Sequence, residues 1–174
     1  MCSSTGSSLT QITSTTGGTG SKEPSIATGS SWTKVAFSSD RDFVGTNADG
    51  STEIFLWTLT GTYSSSNTGS YTQVTSTPSG KECRKPQISK DGKFFSFYSN
   101  ADITGGNADG NYEVFAWNIN GTTTQVTSTS GGSNNSYDPV IGSYTGLYES
   151  GDIQYGPRIA YYFNDGTKDN IFLA

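Results

Sequence analysis

The chain contains no histidine. That removes Ser-His-Asp and Cys-His nucleophile sites and every imidazole-ligated metal centre. Cysteine is nearly absent as well. Cys2 and Cys83 show no zinc-type spacing, and a catalytic thiol with no imidazole beside it lacks its base. Charge is sparse at 14% of residues, and the ten Lys and Arg are spread along a chain of net charge −5. Phosphate binding needs clustered cations, so nucleic acid is not an expected partner. No apolar run reaches the roughly 18 residues of a membrane-spanning helix, and no stretch carries the helical period, so almost no helix is expected. A Gly-rich phosphate loop of the GxxxxGK[ST] form is missing. The segment after Met1 is polar, and no signal peptide is read there.

What is present is glycine (22 residues) with abundant Ser, Thr and Asn, the composition of many short strands joined by tight turns. An aromatic share of 13% is too high for a disordered chain, and 174 residues suffice for one domain with its own core. The chain is organised by a repeat. Ser39–Trp57 reads SDRDFVGTNADGSTEIFLW and Ser99–Trp117 reads SNADITGGNADGNYEVFAW; a worn third copy, YFNDGTKDNIFLA, spans Tyr162–Ala174. A repeat of this kind, with a spacing of about 60 residues, indicates a solenoid or a propeller.

Each unit contains four predicted strands. Strand a follows a proline (Pro24, Pro86, Pro139) at 25–27, 87–89 and 140–142. Strand b is Lys34–Ser38, Phe94–Tyr98 and Arg158–Phe163; strand c is Glu53–Leu59, Glu113–Ile119 and Asn170–Ala174. Strand d is the TQVT type, at 71–75 and 123–127, with its first copy at Leu9–Thr13. In strand c both parities are apolar: Ile54 and Leu56 point one way, Phe55 and Trp57 the other, so c lies between two layers. Asp91-Gly92 reads as a two-residue hairpin turn with positive φ at both positions. Residues 1–8 read as a flexible tether. Residues 9–174 form the folded unit, strand 9–13 completing the unit formed by 139–174. The insert Ser143–Gly156 is its least repeat-like part.

Proline, short strand, Asp-Gly, KFFSFYS, NADG, EVFAW, Asn-Gly-Thr, TQVT: this series resembles the TolB-like (WD-repeat-like) family of β-propeller repeats, from about Leu9 to Ala174. The resemblance implies an all-β fold of propeller blades with four antiparallel strands each, three per chain. It also implies an extracytoplasmic location (periplasmic, cell-surface or secreted) as in many bacterial members, and protein or ligand binding at the ends of a central channel. Three blades do not close, since propellers run from about four to eight. If each open face exposes roughly 500 Å² of apolar surface, about 12 kcal/mol is forgone per face at ~25 cal/mol/Å². A six-bladed ring of two chains is therefore expected, the partner being the protein itself or another protein; the alternative is a chain cut from a longer propeller. Cys2 followed by Ser3-Ser4-Thr5-Gly6-Ser7 also resembles the start of a mature bacterial lipoprotein, so any membrane contact is expected only through a lipid on Cys2. A Cys2–Cys83 disulfide is the alternative use of these residues.

Candidate site residues are few. Asn47, Asp49, Ser51 and Glu53, and again Asn107, Asp109, Asn111 and Glu113, alternate oxygen ligands of the kind calcium takes. The competing and favoured reading is a turn, because Asn and Asp bond their own backbone and Gly takes positive φ freely. No catalytic residue and no cofactor other than calcium is read. Glu53 and Glu113 as a glycosidase-type carboxylate pair is the lesser use of two recurring groups. Trp57 and Trp117 recur and read as core. Trp32, Tyr144, Tyr148, Tyr155, Tyr161 and Tyr162 do not recur and are candidates for surface contact. Asn120-Gly121-Thr122 and Asn134-Asn135-Ser136 match the glycosylation sequon, the first also being good turn chemistry. The functional expectation is a non-enzymatic binding or assembly scaffold. The alternatives are a hydrolase or lyase, or the accessory propeller of a peptidase, acting at the channel mouth, and a structural subunit of a polymer or fibre.

Overall fold

A computed structural model describes residues 10–14, 16, 19–61, 68–131, 133–142 and 157–174. Among the described residues there is no helix, and eleven strands form three antiparallel sheets. Sheet 1 has the order β1 (Ser21–Thr28), β2 (Trp32–Ser39), β3 (Glu53–Thr60), β4 (Ser70–Gln73). Sheet 2 repeats it with β5 (Cys83–Ile88), β6 (Phe94–Ser99), β7 (Glu113–Asn118) and β8 (Thr123–Gln125). Sheet 3 has three strands, β9 (Asn135–Gly142), β10 (Arg158–Asn164) and β11 (Asp169–Leu173), with β10 in the middle. Each sheet is a meander whose strands follow one another, as the abcd reading expects.

The sheets stack face to face, and strand parity decides which side chain enters which layer. Ala27, Ala36, Ile54 and Leu56 of sheet 1 meet Cys83, Ile88, Phe95, Phe97, Phe115 and Trp117 of sheet 2 in one core. Val114, with Phe94, Tyr98 and Ala116, meets Ile141, Ile159 and Tyr161 of sheet 3 in the next. The opposite face of sheet 1 carries Val35, Phe37, Phe55, Trp57 and Leu59, covered by Phe43, Tyr71 and Ile12. Strand β3 thus does what its doubly apolar sequence expects: Ile54 and Leu56 enter one core, Phe55 and Trp57 the other. Backbone bonds stitch neighbouring sheets. Cys83 N–H donates to Thr52 O (2.7 Å), and Ser136 N–H donates to Tyr112 O (2.7 Å).

The outer faces break the repeat. Ile171 and Leu173 are 72% and 70% exposed, whereas their equivalents in β3, Ile54 and Leu56, are 0% and 3% exposed. At the other end of the stack Ile26 is 64% exposed, while its equivalents Ile88 and Ile141 are 8% and 9% exposed.

Three local expectations change. The prolines do not begin the first strands; they sit inside them. Glu23, Lys85 and Asp138, each just before a proline, take positive φ of 56°, 48° and 51°. Each lies at a register shift: between Lys22 and Ser25, between Arg84 and Gln87, and opposite Ala160 to Tyr162. The chain bulges there and continues, which suits proline on the sheet-edge strands β1, β5 and β9. At Asp91-Gly92 only Gly92 has positive φ (66°), and residues 89–93 link β5 to β6, with Gly92 N–H donating to Ser89 O. Thr10–Thr13 form no strand. Ile12 instead lies on the outer face of sheet 1, and its carbonyl accepts the Tyr71 hydroxyl. Leu9, the tether 1–8 and the insert 143–156 lie outside the described residues.

Candidate functional site

The two NADG segments fold alike. Gly50 N–H donates to Asn47 O and Gly110 N–H to Asn107 O, with Gly50 and Gly110 at φ of 68° and 71°. Glycine is required at these points because an L side chain is strained at such φ. The Asn47 Nδ2 amide donates to Ser51 O (3.0 Å), and Asn107 Nδ2 to Asn111 O (2.9 Å), so each asparagine closes its own loop. Asp49 Oδ1 accepts from Ser51 N–H, and Asp109 Oδ2 from Gly131 N–H (3.0 Å).

Beneath each loop a glutamate is wholly buried. Glu53 accepts from the Ser51 hydroxyl (2.7 Å), the Thr77 N–H and hydroxyl (both 2.6 Å) and the Thr75 hydroxyl. Glu113 accepts from Asn111 Nδ2 (3.1 Å), Thr129 N–H (2.6 Å) and the hydroxyls of Thr129 and Thr127. The Thr75 and Thr127 oxygens in turn accept Ile54 N–H (2.9 Å) and Val114 N–H (2.8 Å). Each carboxylate therefore ties the start of a central strand to the segment leading into the next sheet. All the donors come from the chain itself. Among the described residues no group of three or more His, Cys, Asp or Glu is placed to hold a metal ion. Neither glutamate is open to solvent, as a hydrolytic pair would have to be.

A second constellation escapes the sequence reading. The positive-φ residues form a row across the stack. Glu23 Oε2 accepts from Lys85 N–H (2.8 Å) and from the Ser38 hydroxyl (2.8 Å), and Lys85 Nζ pairs with Asp138 Oδ2 at 2.5 Å. Beside the row, Glu82 accepts the Tyr112 hydroxyl (2.5 Å) and Arg84 Nε (2.9 Å). Burial acts to raise the Glu82 carboxyl, but these two bonds and the Arg84 charge hold it below the usual range. Burial, then the charges of Glu23, Asp138 and Glu82, push the Tyr98 phenol up to about 12. Burial and its bond to Glu82 do the same to Tyr112, also to about 12. Every one of these groups lies on or beside a first strand, so one edge of the stack presents alternating charge with ring hydroxyls. A charged residue before each recurring proline, at 23, 85 and 138, was the available signal.

The remaining candidates separate. Cys83 is buried, with its thiol beside the Ser99 hydroxyl (3.4 Å), and burial pushes it up to about 12; it is a free thiol, and Cys2 lies outside the described residues. Trp57 and Trp117 are core. Trp32 packs into the core between sheets 1 and 2, against Gly92 of the β5–β6 turn, where a Cβ would come within 2.7 Å of its ring. Tyr161 faces sheet 2 and stacks on Phe172, while Tyr162 is part-exposed and stacks on Tyr137. Tyr144, Tyr148 and Tyr155 lie outside the described residues. Two cavities lie beside sheet 3. One of about 240 Å³ is lined by Phe94, Trp117, Val126, Ile159 and Ala174. The other, of about 300 Å³, is lined by Thr129, Ser136, Tyr161, Phe163 and Phe172. No family model matches the chain, and no curated protein matches it.

Proposed function

We propose that the protein is a non-enzymatic binding or assembly scaffold, built from three TolB-like propeller blades and working outside the cytoplasm. In this reading each sheet is a blade, and a second copy closes the arc into a six-bladed ring. One observation carries it: Ile26 at one end of the stack and Ile171 at the other are exposed at positions the other two units bury, and Leu173 is exposed where Leu56 is buried. The missing neighbour on each side is therefore a surface like the ones already packed inside the chain. Two copies can supply both contacts at once, and closure then removes every open face. The ligand-facing surface is the first-strand edge, where Glu23, Lys85 and Asp138 run along what would be the channel wall. Rigid sheets hold these groups in place, and alternating charge with the Tyr98 and Tyr112 hydroxyls suits a polar protein segment.

Light scattering after size exclusion tests the assembly. A species of twice the 18.4 kDa chain mass is expected. A folded monomer overturns the ring. A large polydisperse species overturns it too, because the same two faces, meeting without closure, would build a filament.

A further inference from the structure

One cross-strand partner differs between the three sheets. In sheet 1 Ser21 pairs with Ser39, and its hydroxyl donates to the Ser39 hydroxyl (3.2 Å). In sheet 2 Cys83 pairs with Ser99, and its thiol donates to the Ser99 hydroxyl (3.4 Å). Ser39 and Ser99 also hold the loops that follow them, accepting Arg41 N–H (3.1 Å) and Ala101 N–H (3.0 Å). Those loops send Phe43 and Ile103 back over their sheets. In sheet 3 the residue opposite Ser136 is Phe163. A phenylalanine offers no oxygen, either to Ser136 or to a loop N–H.

Ser136 is 0% exposed, and among the described residues its hydroxyl has no hydrogen-bond partner. Cross-strand partners share a face, so Ser136 and Phe163 look the same way. Both line the cavity of about 300 Å³, with Tyr161 and Phe172 of sheet 3 and residues 126–129 that lead out of sheet 2. Tyr161 and Phe172 pair across β10 and β11 as Phe37 and Phe55 pair across β2 and β3. In the first unit an aromatic ring packs on that pair: Phe43 lies edge-on to Phe37 at 5.5 Å and to Phe55 at 5.1 Å. The cavity therefore adjoins an aromatic pair that holds a ring elsewhere in this chain, and it adds a buried hydroxyl.

We propose that this cavity binds a small uncharged aromatic molecule carrying one hydroxyl, of the phenol class. The ring takes the place that Phe43 takes in the first unit, against Tyr161, Phe163 and Phe172. The ligand hydroxyl hydrogen-bonds Ser136 Oγ, which both donates and accepts. The Thr127 and Thr129 hydroxyls already donate to Glu113, so Ser136 sets where the polar group lies. Benzene fits a cavity of roughly 150 Å³, so a substituted ring has room here. Burial, then the charge of Glu113, raise the Tyr161 phenol above its ordinary value. The same charge repels a carboxylate or phosphate, which restricts the class to neutral rings. The site lies within one chain and does not depend on the ring of blades.

The probes are p-cresol and toluene, which differ by one hydroxyl. Titrating the full chain with p-cresol should give saturable NMR shifts at Ser136, Tyr161 and Phe163, with a dissociation constant at or below about 1 mM. Ser136→Ala should weaken p-cresol roughly five- to tenfold, the worth of one hydrogen bond, and leave toluene within about twofold. Phe163→Ser puts back the serine of the other sheets. It occupies the Ser136 hydroxyl and removes one ring from the wall, so p-cresol should weaken by about tenfold or more. No saturable shift at these residues by roughly 10 mM p-cresol overturns the proposal, as do equal losses of p-cresol and toluene in Ser136→Ala. The unsubstituted protein gives a readout that needs no variant to fold. Nuclear Overhauser contacts from the p-cresol ring to Tyr161, Phe163 and Phe172 are expected, and contacts to other residues alone overturn the site.

Discussion

Replacing Glu53 by alanine tests whether the buried carboxylates hold the sheets together. The change strands three donors at once: the Thr77 N–H, the Thr77 hydroxyl and the Thr75 hydroxyl, all on buried residues. The hydroxyls can turn toward other oxygens. The N–H cannot, and it keeps most of its desolvation cost. An unpartnered buried donor costs about 1–3 kcal/mol, and the lost side-chain packing adds to that, so Glu53→Ala should destabilise by about 3–5 kcal/mol. At 2–4 °C per kcal/mol for a chain of this size, the melting temperature should fall by roughly 10 °C. Glu53→Gln keeps an acceptor for the Thr77 N–H and lets the hydroxyls present lone pairs to the new amide, so it should cost only about 1–2 kcal/mol. Urea unfolding followed by tryptophan fluorescence, at one protein concentration because assembly couples to stability, measures both. The double variant Glu53→Ala/Thr77→Val should show a coupling energy above about 1 kcal/mol, as groups in one network do. A loss below about 1 kcal/mol for Glu53→Ala, or equal losses for Gln and Ala, would refute the reasoning. So would a rise in melting temperature in calcium that chelator reverses, since the carboxylate would then serve a cation rather than the threonines.

Ala174 stands where Trp57 and Trp117 stand in the other units, beside the cavity of about 240 Å³. Ala174→Trp should fill it and raise stability by about 0.5–2 kcal/mol, and a lower melting temperature would show that the cavity is not the vacated indole site. The phenols of Tyr98 and Tyr112 are raised from 10.0 to about 12. The folded chain keeps protons that the unfolded chain releases, so stability is full below pH 10 and falls as pH rises through 10 to 12. Tyrosinate absorbance should show these two ionising after most of the ten tyrosines, together with a falling urea midpoint; simultaneous ionisation near pH 10 of a still-folded chain would count against it.

The order of strands within each sheet was legible because the NADG–strand–Trp unit repeats. The layering was legible because β3 is apolar at both parities, which only a strand between two cores requires. Strand boundaries were less so. A proline normally reads as an edge or an end, and nothing in Glu23-Pro24 says that the residue before it takes φ of 56° and lets the strand continue. The Glu53 network could have been found: Thr-Ser-Thr follows Gln-Val at 75–77 and at 127–129, matching the two recurring glutamates. It was missed because acceptor and donors lie 22 and 24 residues apart in the first network and 14 and 16 apart in the second. The charged row was missed for a similar reason. Glu23, Lys85 and Asp138 become neighbours only when the sheets stack.

The third unit shows what a repeat motif leaves unsaid. Loops 40–52 and 100–112 each send one apolar side chain back over the sheet: Phe43 against Phe37, Phe55 and Tyr71, and Ile103 into the core between sheets 1 and 2. In the third unit this loop shrinks to 165–168, a turn in which Asp165 accepts from the Thr167 and Lys168 N–H groups. Asn-Asp-Gly survives in the sequence, so the motif can be traced. The plug is lost, and the cavity of about 300 Å³ beside Tyr161 and Phe172 opens where it would lie. With Ala174 in the tryptophan position, the side of sheet 3 that faces its neighbour keeps Tyr161 and Phe172 but lacks the indole, while Ile171 and Leu173 are apolar on the side that faces outward. Ile171 and Leu173 are exposed there at 72% and 70%.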